Sequence, residues 1–131
     1  MSDTAARARR RVLIVDDNVT NTKLAQFVLS SKGYDVRTAI DAEQALTVVT
    51  DFNPELILMD LQLPGIDGLT LTRRLKAEPS TRHIVIVATT AYAMKGDDER
   101  AFQAGCDGYI TKPINTRTLA RQIDNFVNMR I

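Results

Sequence analysis

The sequence predicts an α/β fold, a parallel sheet covered by helices on both faces. Three observations carry that prediction. The runs Val12-Leu13-Ile14-Val15, Leu56-Ile57-Leu58-Met59 and Ile84-Val85-Ile86-Val87 are apolar throughout rather than alternating, the pattern of strands buried on both faces. Segments with helical apolar spacing separate the runs, so strand and helix alternate five times along the chain. Two of the runs end in carboxylates, Asp16-Asp17 and Asp60, at the point where a strand meets a turn.

Taken in order, Arg11 to Val15 is the first strand. A helix follows with Leu24, Phe27 and Val28 spaced i, i+3, i+4 on one face, and Gly33 stands where a C-terminal cap belongs. Asp35 to Thr38 is a brief second strand. Asp41 has the form of an N-cap, with Gln44 three residues on, and opens a helix with the stripe Ala42, Ala45, Leu46 and Val49. Pro54 stops that helix and starts the third strand, Leu56 to Asp60. After Pro64-Gly65, Asp67 can cap a helix carrying Leu71 and Leu75, which Glu78-Pro79-Ser80 ends. The fourth strand, Ile84 to Thr90, terminates in hydroxyls. A loosely patterned helix from Asp97 to Ala104 reaches Gly105, then the fifth strand runs from Gly108 to Thr111, followed by Lys112-Pro113. Asn115 can cap a last helix with the stripe Leu119, Ile123, Phe126 and Val127. Right-handed crossovers close such a chain as a doubly wound, flavodoxin-like (βα)5 sheet of strand order 2-1-3-4-5, with the site at the carboxyl ends of the strands.

The length, 131 residues, suits one domain that buries roughly two-thirds of its unfolded surface. No apolar run approaches the ~20 residues that span a bilayer, and no apolar leader follows Met1, so no membrane association and a cytoplasmic location are expected. Cys106 is the one cysteine, which excludes an internal disulfide. The formal charge of +1 hides an asymmetry, because Arg7, Arg9, Arg10 and Arg11 crowd the start beside Asp3 alone. Setting these aside leaves 13 of the 17 basic and 15 of the 16 acidic side chains, a net of −2. Residues 1–10 read as a flexible basic tail and 11–131 as the domain. A slightly acidic fold is not a nucleic-acid binder, which needs a basic face.

In the expected strand order, Asp16, Asp17, Asp60, Thr89-Thr90 and Lys112 meet on one rim. Asp60 alone decides nothing, since an aspartate closing a strand is also a common turn former or N-cap. Clustering is the stronger signal. Two carboxylates about 4 Å apart repel by roughly 4 kcal/mol at an effective dielectric near 20, which raises a pKa or recruits a cation. A hard, oxygen-seeking ion such as Mg²⁺ suits an all-oxygen site. Carboxylate, Mg²⁺, lysine and threonine are together the parts for phosphoryl transfer to an aspartate, with Asp60 as nucleophile.

Val12-Leu13-Ile14-Val15-Asp16-Asp17-Asn18, Leu56-Ile57-Leu58-Met59-Asp60, Leu63-Pro64-Gly65-Ile66-Asp67-Gly68, Thr90-Ala91 and Gly108-Tyr109-Ile110-Thr111-Lys112-Pro113-Ile114 resemble the receiver domain of two-component response regulators. The resemblance covers residues 11 to 130, and the loop Ala91 to Asp97 is similar to that of single-domain receivers of the chemotaxis and cell-division type and of receivers fused to hybrid kinases. It implies that Asp60 is the phosphoacceptor, and that Asp17, Asp60 and the Gln62 carbonyl ligate Mg²⁺ directly, with Asp16 acting through water. It implies that Thr90 is the switch threonine, with Thr89 pointing elsewhere, that Lys112 pairs with the phosphoryl group and precedes a cis Pro113, and that Tyr109 follows the threonine. It also implies that Gln62 and Tyr92 occupy the positions that tune the lifetime of the acyl phosphate.

The partners so implied are a sensor histidine kinase or a histidine phosphotransfer protein as donor and an unidentified downstream protein as target. The output face would be built from the fourth helix, fifth strand and fifth helix, where a second copy of the chain could also dock. The chain would catalyse its own phosphorylation and turn over no separate substrate. Three other classes fit less well. A metal-dependent phosphohydrolase needs a second acid where Gln62 stands, and a flavodoxin-like carrier needs a phosphate-cradling first loop that Asp16-Asp17 would repel. A nucleic-acid binder would have to rely on the arginine tail. His83 reads as surface, Met59 and Met94 as packing or loop residues, and Cys106 as a small buried hydrophobe.

Overall fold

The computed structural model describes residues 10–63, 65–91 and 96–128. The basic segment through residue 9, Pro64, Tyr92 and Met94 lie outside them. Five strands, β1 (Arg11–Val15), β2 (Asp35–Ala39), β3 (Leu56–Asp60), β4 (Val85–Thr90) and β5 (Gly108–Thr111), form one parallel sheet in the order β2-β1-β3-β4-β5. Between and after them run α1 (Val19–Ser31), α2 (Ala42–Phe52), α3 (Gly68–Ala77), α4 (Asp97–Ala104) and α5 (Leu119–Asn128). This is the doubly wound architecture and strand order that the buried apolar runs call for.

Successive strand residues feed opposite cores, which is why β1, β3 and β4 are apolar on both faces. Leu13, Val15, Ile57, Met59 and Ile86 meet Ala45, Val49, Leu71, Leu75 and Ala101 of α2, α3 and α4. Val12, Ile14, Leu56, Leu58 and Val87 meet Ala25 and Leu29 of α1 and Leu119, Ala120 and Ile123 of α5. Tyr34 is buried in this second core, and its hydroxyl donates to the Asp124 carboxylate and lies 3.2 Å from the Ala120 carbonyl oxygen, tying the start of β2 to α5.

The helix boundaries follow local chemistry. Asp41 accepts from Gln44 N–H at 2.8 Å and Asp67 from Thr70 N–H at 2.8 Å, so both expected N-caps form. Gly33, at φ 99°, takes the left-handed position after α1. At the far end of the sheet, Lys76 of α3 bonds Asp107 at 2.8 Å and the Ile84 carbonyl at 2.7 Å, while Asp107 accepts the Ile86 N–H at 2.9 Å. This network fastens α3 to the bases of β4 and β5.

Three expectations need correction. The α1 stripe is not the buried face: Leu24 is 51% and Phe27 73% exposed, whereas Thr22, Ala25 and Leu29 are buried. Small side chains let α1 lie close on the sheet, and the larger apolar residues are turned outward. On α2, Leu46 is at the edge of the stripe and Phe52 completes it. Asn115 does not cap α5 directly; its side chain accepts the Arg117 N–H at 3.0 Å and its carbonyl the Thr118 N–H at 3.2 Å, closing a turn before the helix begins at Leu119.

Candidate functional site

The carboxyl ends of β1, β3, β4 and β5 bring Asp16, Asp60, Thr89, Thr90 and Lys112 to one rim. Asp60 ends β3 with 3% of its surface exposed and Asp16 follows β1 with 5%, while Asp17 is open to solvent. One carboxylate oxygen from each of the three lies within 4.8 Å of the others. The Lys112 Nζ donates to Asp16 Oδ2 at 2.9 Å and lies 3.3 Å from Asp60 Oδ2, so one ammonium bridges the two buried acids.

Backbone amides hold the acids in place. Asn18 N–H donates to Asp16 Oδ1 at 2.8 Å, and Gln62 N–H donates to Asp60 Oδ1 at 3.0 Å. Burial pushes the Asp60 carboxyl above its ordinary range; the Gln62 amide and the Lys112 charge oppose this, and the Asp16 charge adds to it. Burial alone would lower Lys112, but the hydrogen bond and charges of Asp16 and Asp60 outweigh it and raise the ammonium above its usual value.

Thr89 and Thr90 are both buried at the end of β4. Thr89 is the register partner of Asp60, and its carbonyl accepts the Leu61 N–H at 3.0 Å. Thr90 pairs with Thr111, and its carbonyl accepts the Lys112 N–H at 2.7 Å. The threonine pair is thus stitched by main chain to both sides of the acid cluster. Tyr109 is half-buried on β5 and packs against the core of α2, α3 and α4. The Lys112–Pro113 bond is cis. Gln62 is exposed beside Asp60.

Gly68, first residue of α3 and last of the Leu63–Gly68 motif, has a part in the site that the sequence reading did not assign to it. A Cβ there would lie 2.3 Å from the Asp60 carbonyl oxygen, so only glycine lets the helix start against the end of β3. Its signal in the sequence is its place at the end of that motif, directly after the N-cap Asp67. Cys106 stays outside the rim: it is buried, its Sγ 3.9 Å from the Thr72 hydroxyl, and burial pushes the thiol up, as suits a packing residue.

Oxygen ligands alone, open to solvent through Asp17, are a donor set for a hard divalent cation. That cluster and its bridging lysine stand at the carboxyl ends of a five-stranded doubly wound sheet, the architecture of the CheY-like flavodoxin fold. The chain belongs to the response regulator receiver domain family, whose profile matches residues 12–124. It is 41% identical over 118 residues to the polar-differentiation response regulator DivK of Brucella ovis, covering 90% of this chain and 96% of that one. Among solved structures it is similar to a CheY-like response regulator receiver domain protein of Methanospirillum hungatei JF-1, with 28% identity, a TM-score of 0.84, and coverage of 92% and 95% of the two chains. The chemotaxis response regulator CheY4 of Vibrio cholerae shares the fold at a TM-score of 0.83 and 23% identity, with 89% of this chain and 98% of that one covered. Two-component signalling is therefore the setting of this protein. Among the described residues no helix is long and apolar enough to cross a membrane.

Proposed function

We propose that this receiver accepts a phosphoryl group on Asp60 from a phosphohistidine donor, either a sensor histidine kinase or a histidine phosphotransfer protein, and that the charge gained reshapes the surface read by a downstream protein. The observation that carries the reading is the Lys112 ammonium held between Asp16 and Asp60 beside a third carboxylate. An oxygen of Asp60 forms a bond to phosphorus as the phosphorus–nitrogen bond breaks, and the imidazole leaves with the electron pair and takes a proton. Asp16, Asp17, Asp60 and the Gln62 carbonyl are the groups that would hold Mg²⁺, which when bound offsets the charge of the carboxylates and the phosphoryl oxygens. Lys112 supplies a second positive charge that needs no reorganisation.

The donor has a place to sit. A groove of about 410 Å³ beside the rim is lined by Asn21, Leu24, Ala25, Ala91, Lys112, Pro113, Ile114 and Thr116, a largely apolar wall that includes the site lysine. For output, Thr90 draws toward the phosphoryl group and Tyr109 follows it, altering the face of α4, β5 and α5, where Phe102 is half exposed. The target, or a second copy of this chain, docks there. Gln62 and Tyr92 set the lifetime of the acyl phosphate. The domain works in the cytoplasm, turns over no separate substrate and binds no nucleic acid.

Intact-mass spectrometry after incubation with Mg²⁺ and acetyl phosphate tests the reading. One phosphoryl adduct on the wild type, absent from Asp60→Asn, is the expected result; an adduct that survives the substitution overturns Asp60 as acceptor. Thr89→Ala and Thr90→Ala, compared on the same assay and on partner binding, decide which hydroxyl reads the group.

A further inference from the structure

Thr22 lies in the first turns of α1 and is 7% exposed, although Asp17, Asn18, Val19, Thr20 and Asn21 before it are all open to solvent. Its hydroxyl is 2.9 Å from the carbonyl oxygen of Asn18 and 3.3 Å from that of Asp16. The first contact is the ordinary bond of a helical threonine to the carbonyl four residues back, an acceptor that Thr22 N–H shares at 3.0 Å. The second, the longer arm of a three-centre bond through the same hydroxyl proton, reaches out of the helix to the peptide group joining Asp16 to Asp17. A threonine serving α1 alone has no use for it.

The two acids are held in different ways. Asp16 is fixed by Asn18 N–H and Lys112 on its carboxylate, and by its own N–H on the Ala39 carbonyl at 3.0 Å. Asp17 is exposed, and among the described residues no side-chain bond orients its carboxylate. Where that carboxylate stands depends on the backbone carrying it, and the Asp16–Asp17 peptide plane is what the Thr22 hydroxyl grips.

We propose that Thr22 is a positioning residue: through the Asp16 carbonyl it sets the Asp16–Asp17 peptide plane and so presents the Asp17 carboxylate to a divalent cation shared with Asp60. This rests on the metal reading given above. It assigns to α1 a role in cation binding, in addition to its packing through Ala25 and Leu29.

The test is calorimetric titration of the full chain with MgCl₂, for wild type, Thr22→Val and Thr22→Ser, with the unfolding midpoint of each recorded without metal. Thr22→Val keeps the shape and loses the hydroxyl; it is expected to bind Mg²⁺ about fivefold more weakly, the equivalent of one hydrogen bond. Thr22→Ser restores the affinity. Thr22→Ala, also lacking the hydroxyl, answers the same question if the valine variant does not fold. Wild-type affinity in the valine and alanine variants overturns the proposal whatever happens to their midpoints, because a purely structural threonine changes stability and leaves the affinity of the folded protein alone. A serine variant as weak as valine also overturns it. Wild-type protein that binds no Mg²⁺ defeats the metal reading itself and this proposal with it, a result distinct from the other two.

Discussion

A Cβ on Gly68 would stand 2.3 Å from the carbonyl oxygen of Asp60 and 2.9 Å from the Cα of Leu61. Helix α3 therefore begins in contact with the main chain that carries the central carboxylate, and the clash is with backbone, which has little room to yield. Gly68→Ala is expected to cost about 1–3 kcal/mol in urea unfolding and to reduce the acetyl phosphate adduct on Asp60. A variant of wild-type stability and reactivity would show that α3 moves aside without disturbing β3.

Asp60 is raised by burial, so the folded chain holds its proton more tightly than the unfolded chain does. Its stabilising contribution is complete below the ordinary value of 3.8 and is lost as pH rises through the higher folded value. Asp60→Asn removes that loss. Without divalent cations at pH 7 the variant is expected to melt roughly 3–5 °C above wild type, for a gain near 1 kcal/mol, and the two curves converge on acidification. A lower melting point at pH 7 would mean that the Lys112 pairing outweighs desolvation.

Lys112 is raised by its two acidic partners, so its contribution is present below its ordinary value of 10.5 and disappears as pH rises through the folded value. Lys112→Met leaves Asp16, Asp17 and Asp60 without their ammonium. Phosphorylation of Asp60 is expected to slow by about 10²–10³-fold, and the metal-free protein to melt lower. Mg²⁺ then restores more stability to the variant than to wild type, as differential scanning calorimetry with and without the ion will show.

Lys76 and Asp107 are coupled at the opposite end of the sheet, with side chains 16% and 23% exposed. Asp107→Ala takes the counter-charge from the Lys76 ammonium, which keeps only carbonyl acceptors, and leaves the Ile86 N–H without its carboxylate acceptor. A loss of about 2–3 kcal/mol is expected, with the phosphoryl adduct on Asp60 unchanged once the protein is folded. A variant that keeps full stability and loses reactivity would make this network part of the site.

Much of the architecture could be read from residues, and the reasons are local. Runs such as Leu56 to Met59 are apolar on both faces only in covered sheets, and Asp41 and Asp67 announce helix starts that the structure reproduces. The rim followed from strand order alone. What escaped has no local mark. The outward turn of Leu24 and Phe27 is decided by how closely Ala25 and Thr22 allow α1 to approach, and apolar spacing weighs a large side chain above a small one. Lys76 and Asp107 are 31 residues apart, and nothing near either names the other. Gly68 stands in the Leu63–Gly68 motif, yet its reason for being glycine shows only once the Asp60 carbonyl behind it is placed.

The strand order also has a bearing on synthesis. Because β1 lies between β2 and β3, the acids at residues 16, 17 and 60 are all available once β3 has left the ribosome, whereas the ammonium that bridges two of them comes from residue 112, after the last strand. A nascent chain folding from its N-terminus gathers repelling charge first and neutralises it last. Docking of β5 is thus both the closing of the sheet and the discharge of its rim.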